Sequence, residues 1–182
     1  MTAVATAPPS TSGAATGRNL AALVSRMWRL RVTGAHHVPA TGPVILAANH
    51  TAFLDGILLA AASPRPVHVL AASELFVPPL DRLLRATSQI RMEYDAPDRS
   101  ALREALAVLG GDGVVGLFPE GHRGPGVCRH VRHEAAYLAA LPPLDVTVLQ
   151  MYTVFQLSAV RVTALGDYPA FDDARVAAPL SA

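Results

Sequence analysis

Two short stretches carry side chains able to move a proton or grip an anion. The first, Asn49-His-Thr-Ala-Phe-Leu-Asp55, sets an imidazole and a carboxylate five residues apart. On a regular helix the two would stand about 140° apart, and on a strand they would face opposite sides. A strand-to-helix turn can bring them together. The Asp55 carboxylate then accepts the Nδ1 proton of His50, which fixes the tautomer and leaves Nε2 to take a proton from an alcohol. The same spacing also fits a histidine with a purely structural hydrogen bond.

The second stretch is Val115-Gly-Leu-Phe-Pro-Glu-Gly-His-Arg-Gly124. An apolar run meets Pro119, which cannot continue a strand ladder. A Gly-rich loop follows, bearing Glu120, His122 and Arg123. Gly121 and Gly124 allow the backbone to approach a ligand closely, and the Arg123 guanidinium suits forked contacts with phosphate oxygens. The competing reading is an exposed loop with a surface Arg–Glu pair, worth at most about 1 kcal/mol.

Both stretches need elements that aim them. Pro43-Val-Ile-Leu-Ala-Ala-Asn49 is a short continuous apolar run, as expected of a strand buried on both faces. Val67–Ala72 and Val114–Phe118 read the same way, with a short strand at Leu30–Thr33 and another strand at Gln89–Tyr94. Helices are expected over Phe53–Ala62, stopped by Pro64 and Pro66, and over Leu80–Ala86. Another starts from a cap at Asp98 or Ser100 and ends at Gly110–Gly111, with Ala101, Leu102, Ala105, Leu106 and Leu109 at helical spacing. Such alternation predicts an α/β fold, a mostly parallel sheet covered by helices on both faces. In such sheets ligands bind beyond the carboxyl ends of the strands, where both motifs fall.

Ahead of the sheet, Leu20, Leu23, Val24, Met27 and Leu30 share one helical face, with Trp28 at its edge; Arg18, Ser25, Arg26 and Arg29 lie opposite. This N-terminal amphipathic helix either covers a core or lies in a membrane interface with its arginines at anionic headgroups. Residues 1–17, made of Ala, Thr, Ser, Pro and Gly without periodicity, read as a disordered tail. Residues 18–165 then form a single α/β domain, and residues 166–182 a divergent or flexible tail.

Composition narrows the chemistry. The 182 residues are 51% hydrophobic and 16% charged, with 15 basic against 14 acidic side chains. A net charge of +1 supplies no field for nucleic acid. Every basic residue is arginine, which excludes a Schiff-base or P-loop lysine. The single Cys128 excludes an intramolecular disulfide and agrees with a reducing compartment. Cys128, His130 and His133 lack a second ligand pair at zinc spacing, so no metal is expected. No stretch reads as a secretory signal. The apolar run Val146–Val160 is shorter than the roughly 20 residues that span a bilayer. The abundance of alanine and lack of lysine suggest a bacterial source.

Taken together, Asn49-His-Thr-Ala-Phe-Leu-Asp55 and Phe118-Pro-Glu-Gly-His-Arg123 resemble the two signature motifs of the glycerolipid acyltransferases, the 1-acyl-glycerol-3-phosphate acyltransferase type. Their order and separation are similar too, and the likeness runs from about Leu20 to Leu141. The resemblance implies transfer of a fatty acyl group from acyl-CoA or acyl carrier protein to the hydroxyl of a lysophospholipid, in phospholipid biosynthesis. His50 is then the general base and Asp55 its orienting partner, while Glu120, Gly121, Arg123 and Arg91 hold substrate. No cofactor is implied beyond the acyl donor as co-substrate. The implied location is peripheral, on the cytoplasmic side of the cell membrane.

Some positions depart from that pattern. Ala52 stands where serine is common, and His122 where threonine is usual. The family's arginine at the end of the Gln89–Tyr94 strand is missing, Arg91 being the candidate substitute in another register. Leu141-Pro-Pro-Leu-Asp-Val-Thr-Val148 replaces the usual Val-x-Pro strand, so a late strand is expected to be altered or lost, although Val160–Ala164 alternates as a strand. These departures leave open a catalytically defective member that binds lipid or a partner, and more distantly a hydrolase using His50 on water.

Overall fold

The computed structural model describes residues 11–27, 29–121, 123, 137–138, 145–154 and 159–164. Among the described residues there are seven strands: β1 (Arg31–Thr33), β2 (Val44–Ala48), β3 (Val67–Ala72), β4 (Ile90–Met92), β5 (Val114–Leu117), β6 (Thr147–Val154) and β7 (Ala159–Ala164). They form one sheet in the order β1-β7-β6-β2-β5-β3-β4, with every pairing parallel except β6–β7. The α-helices among the described residues include α1 (Thr11–Met27), α2 (Asp55–Ala62), α3 (Leu80–Ala86) and α4 (Arg99–Gly110).

Why β2 is a continuous apolar run is clear from its position. It sits between β5 and β6, and all five of its residues are buried. Val44, Leu46 and Ala48 point to one face, where they meet Leu58, Leu59 and Ala62 of α2. Ile45 and Ala47 point to the other, against Ala101, Ala105, Val108 and Leu109 of α4. Helices therefore cover both faces, as the alternation requires. Leu59, Ile45 and Leu109 are fully buried, each contributing roughly 1.5–3 kcal/mol by removal from water.

Two side chains complete the sheet where backbone pairing stops. Pairing of β3 with β4 begins at Leu70 and Ile90. Before it, the Val69 N–H donates to Gln89 Oε1 at 2.8 Å, and buried His68 donates through Nδ1 to the Ser88 carbonyl at 2.9 Å. Burial lowers the His68 pKa from its ordinary value, and the Ser88 hydrogen bond only partly opposes that. At the amino ends of the strands, Arg65 donates to the carbonyls of Pro39, Gly42 and Asp112, tying together the loops that lead into β2 and β5.

Two expectations need correction. Helix α1 begins at Thr11, so residues 11–17 of the expected disordered tail are helical. It packs on α2, α3 and β3, and the residues it buries are small: Gly13, Ala14 and Ala21. A Cβ on Gly17 would lie 3.0 Å from the Thr87 Cβ, so close approach to the end of α3 depends on a missing side chain. Of the apolar residues on the expected face of α1, Leu20, Leu23 and Met27 point outward, 40%, 66% and 74% exposed. Trp28 lies outside the described residues.

The second correction concerns the late strands. Thr147–Val154 forms β6 and pairs along the whole of β2, while Ala159–Ala164 forms β7. The strand expected to be altered or lost is present beside the strand that carries His50. Residues 165–182 lie outside the described residues, as do Cys128, His130 and His133.

Candidate active site

Strands β2 and β5 are parallel neighbours, so their carboxyl ends deliver the two motifs side by side. Ala47 pairs with Leu117, which places His50 just beyond β2 and Phe118 to Glu120 just beyond β5. The chain then turns through Thr51–Leu54 and enters α2 at Asp55. Gly116 lets α2 settle close to the sheet: a Cβ there would stand 2.7 Å from Leu59 Cδ2 and 3.0 Å from Val67 Cγ1.

Asp55 is fully buried, and its Oδ2 gathers three donors. The N–H groups of Thr51 and Ala52 donate at 2.6 and 2.7 Å, and His50 Nδ1 lies at 3.2 Å. The carboxylate at the head of α2 thus folds the preceding turn around itself. Because an ionised carboxylate only accepts, the proton of the pair belongs on Nδ1, and Nε2 is left as the basic nitrogen. This turn is what joins two residues whose spacing fits neither a helix nor a strand. Asp55 Oδ1 is buried without a hydrogen-bond partner among the described residues.

From the second motif, Glu120 is buried and its Oε1 accepts the backbone N–H of His50 at 3.2 Å. Gly121 adopts φ +71°, closing a turn in which its N–H donates to the Phe118 carbonyl at 2.9 Å. That left-handed conformation favours glycine. The Phe118 ring stacks on the His50 imidazole, with centroids 4.2 Å apart and planes 21° from parallel. Phe118 does not stand out in the sequence, where it reads simply as the last apolar residue of a strand. Arg123 is exposed, and His122 lies outside the described residues.

The structure thus brings His50, Asp55, Glu120 and Gly121 together. Arg91 stands apart. It lies on β4, three strands from β2 and so roughly 14 Å away at ordinary strand spacing. Its guanidinium pairs with Glu93 at 2.9 Å, and Glu93 also accepts from Ser73 Oγ at 2.6 Å. Nearby, Asp98 caps α4 by accepting from Ser100 and Ala101 N–H, and also accepts from the Glu93 N–H. Burial acts to raise the Asp98 pKa, but these N–H donors and the Arg91 charge outweigh it and hold the carboxyl below its ordinary value.

A base oriented by a carboxylate, at the carboxyl edge of a parallel sheet, is equipped to deprotonate a hydroxyl. Comparison with known proteins identifies the family. The family model described as Acyltransferase matches residues 29–154, well over half of the chain. The chain belongs to the acyltransferase family. Among solved structures it is similar to the 1-acyl-sn-glycerophosphate (LPA) acyltransferase PlsC from Thermotoga maritima, with a TM-score of 0.63 and 18% sequence identity. The match covers 83% of this chain and 67% of that one. At that identity the likeness speaks for the fold. No curated protein matches the chain by sequence.

Proposed function

We propose that this chain transfers a fatty acyl group from acyl-CoA or acyl carrier protein to the hydroxyl of a lysophospholipid such as 1-acyl-glycerol-3-phosphate. The observation that carries the reading is the 3.2 Å contact between His50 Nδ1 and buried Asp55 at the carboxyl end of β2. His50 Nε2 takes the hydroxyl proton as the oxygen attacks the thioester carbonyl. The C–S bond of the resulting tetrahedral adduct breaks, and the imidazolium returns the proton to the departing thiolate. A thioester is already activated, so no acyl-enzyme is required. Arg123 is the guanidinium offered to an acceptor phosphate, and Glu120 with Gly121 shapes the loop that presents it.

Association with a membrane surface fits the outward face of α1. No acidic residue precedes Asp55 in the sequence, whereas arginines stand at 18, 26, 29 and 31. Arg26, Arg29 and Arg31 are exposed, as are Leu23 and Met27 in the same stretch of chain. Arg31 pairs with Ala159, which pairs with Val154 at the end of β6. This cationic, apolar patch therefore reaches the same edge of the sheet as His50. Among the described residues no helix is long and apolar enough to cross a membrane, so the contact proposed is peripheral.

The deciding experiment follows thiol release from palmitoyl-CoA with and without lysophosphatidate, for the wild-type chain and His50→Ala. Release that requires the acceptor and disappears in His50→Ala is expected. Acceptor-independent release replaces transfer with hydrolysis, and no release at all replaces it with a binding role.

A further inference from the structure

We propose that Phe118 is a positioning residue that fixes the plane of the His50 imidazole for proton transfer, a role that rests on reading His50 as the general base. A hydrogen bond from one ring nitrogen restrains an imidazole's edge but leaves its plane free to swing about that contact. In this site even that restraint is shared. Asp55 Oδ2 serves three donors, and His50 has the longest of the three contacts, at 3.2 Å against 2.6 and 2.7 Å for the Thr51 and Ala52 amides. The carboxylate is committed first to the turn.

What restrains the plane is the stacked ring of Phe118, 4.2 Å away and tilted by 21°. Phe118 is well held for the purpose. It is 7% exposed and packs in the core with Leu58, Leu59 and Met151. Its backbone leaves β5 on one side and closes the Gly121 turn on the other. Two residues later Glu120 takes the His50 N–H. The exit of β5 therefore holds the histidine twice, by backbone and by ring face.

The stack has a chemical consequence as well. When Nε2 takes the acceptor's proton the ring becomes a cation, and the negative face of an aromatic ring attracts a cation beside it. The same face excludes water from one side of the imidazole. Phe118 thus favours the charge that develops during attack and narrows the direction from which a hydroxyl approaches.

Steady-state kinetics with palmitoyl-CoA and lysophosphatidate test the proposal. Acceptor-dependent release lost in His50→Ala supports the general-base reading, and its persistence there overturns that reading separately. Phe118→Leu keeps an apolar side chain of similar bulk without the ring. Its kcat is expected to fall roughly 10- to 100-fold, with KM for each substrate within about twofold of wild type. Phe118→Tyr, which retains a ring, recovers most of that loss. A Phe118→Leu kcat within about twofold of wild type, or a loss carried by KM alone, overturns the proposal.

If the leucine variant does not fold, the wild-type chain still decides. Stacking displaces the His50 ring-proton resonances upfield through the Phe118 ring current, with assignment by their disappearance in His50→Ala. Resonances at ordinary positions overturn the proposal.

Discussion

The Glu120 carboxylate accepts the backbone N–H of His50 at 3.2 Å, spanning a sequence separation of 70 residues. That bond makes one site of two motifs. It also gives Glu120 a function besides any contact with substrate, because the partly buried N–H just beyond β2 is otherwise left short of an acceptor. Glu120→Ala is expected to lower stability by about 0.5–1.5 kcal/mol, the net worth of a typical intramolecular hydrogen bond, and to lower kcat. Glu120→Gln retains an acceptor oxygen and loses less. Melting temperature and transfer rate measured on both variants check this.

Asp55 divides its work between turn and histidine, and substitution separates the two. Asp55→Asn keeps a carbonyl oxygen for the Thr51 and Ala52 amides, so the fold is expected to persist. Loss of the carboxylate leaves the imidazole without its charged partner. A general base contributes typically 10²–10⁴-fold, so kcat should fall by roughly that order. Asp55→Ala also loses the acceptor for both amides and should melt at a lower temperature than Asp55→Asn. Equal melting temperatures for the two would contradict the role given to Oδ2.

Gly116 tests whether the approach of α2 to the sheet matters to the site. Gly116→Ala places a methyl 2.7 Å from Leu59 Cδ2 and 3.0 Å from Val67 Cγ1. Leucine can turn aside, but the β-branched valine cannot turn freely. A cost of about 1–3 kcal/mol is expected from overpacking, with a reduced kcat as α2 and Asp55 are pushed outward. Denaturant unfolding beside the kinetic assay reads both.

His68 makes stability depend on pH. Burial lowers its pKa in the folded chain, so the unfolded chain binds the proton more readily. Stability is full above the unfolded value, about 6.5, and decreases as pH falls below it until the folded histidine also protonates. Urea midpoints at pH 7.5 and at pH 5.5 measure the decrease. His68→Gln should flatten that part of the profile.

Asp98 carries a simpler prediction. Its side chain satisfies the N–H groups of Ser100 and Ala101 at the start of α4 and that of Glu93 beside β4. Asp98→Ala should cost about 0.5–2 kcal/mol, the usual worth of such a cap, and Asp98→Ser should restore part of it. The contribution is present above the ordinary carboxylate pKa and is lost as pH falls through the lowered folded value. Thermal melts across acidic pH test both points.

Legibility in the sequence followed the physics of each element. Strands β2, β3 and β5 are buried on both faces, so their apolar runs announce them. Asp98, through its capping carboxylate, and Gly110–Gly111, through a backbone free of side chains, mark the ends of α4. Strand β6 was harder to see, because Thr147 and Gln150 break its apolar run although Leu149 and Met151 are buried. The start of α1 was hidden for the opposite reason. Gly13, Ala14 and Gly17 look like low-complexity tail, yet their smallness is what lets the helix approach its neighbours. At the site, the sequence allows the His50–Asp55 contact through a strand-to-helix turn, but it does not reveal that the Thr51 and Ala52 amides fold that turn around the carboxylate. No periodicity marks Phe118, whose place against His50 arises from pairing between strands distant in sequence.

The position of β6 has a consequence for the growing chain. The strand bearing His50 is made early, but its neighbour on one side arrives only when residues 147–154 have been synthesised. Until then β2 presents a free row of amide and carbonyl groups in a wholly apolar segment, the kind of edge that pairs readily with other chains. The newborn polypeptide is thus most prone to clump in the interval before that late neighbour arrives, and whatever shields it then guards the strand that presents His50.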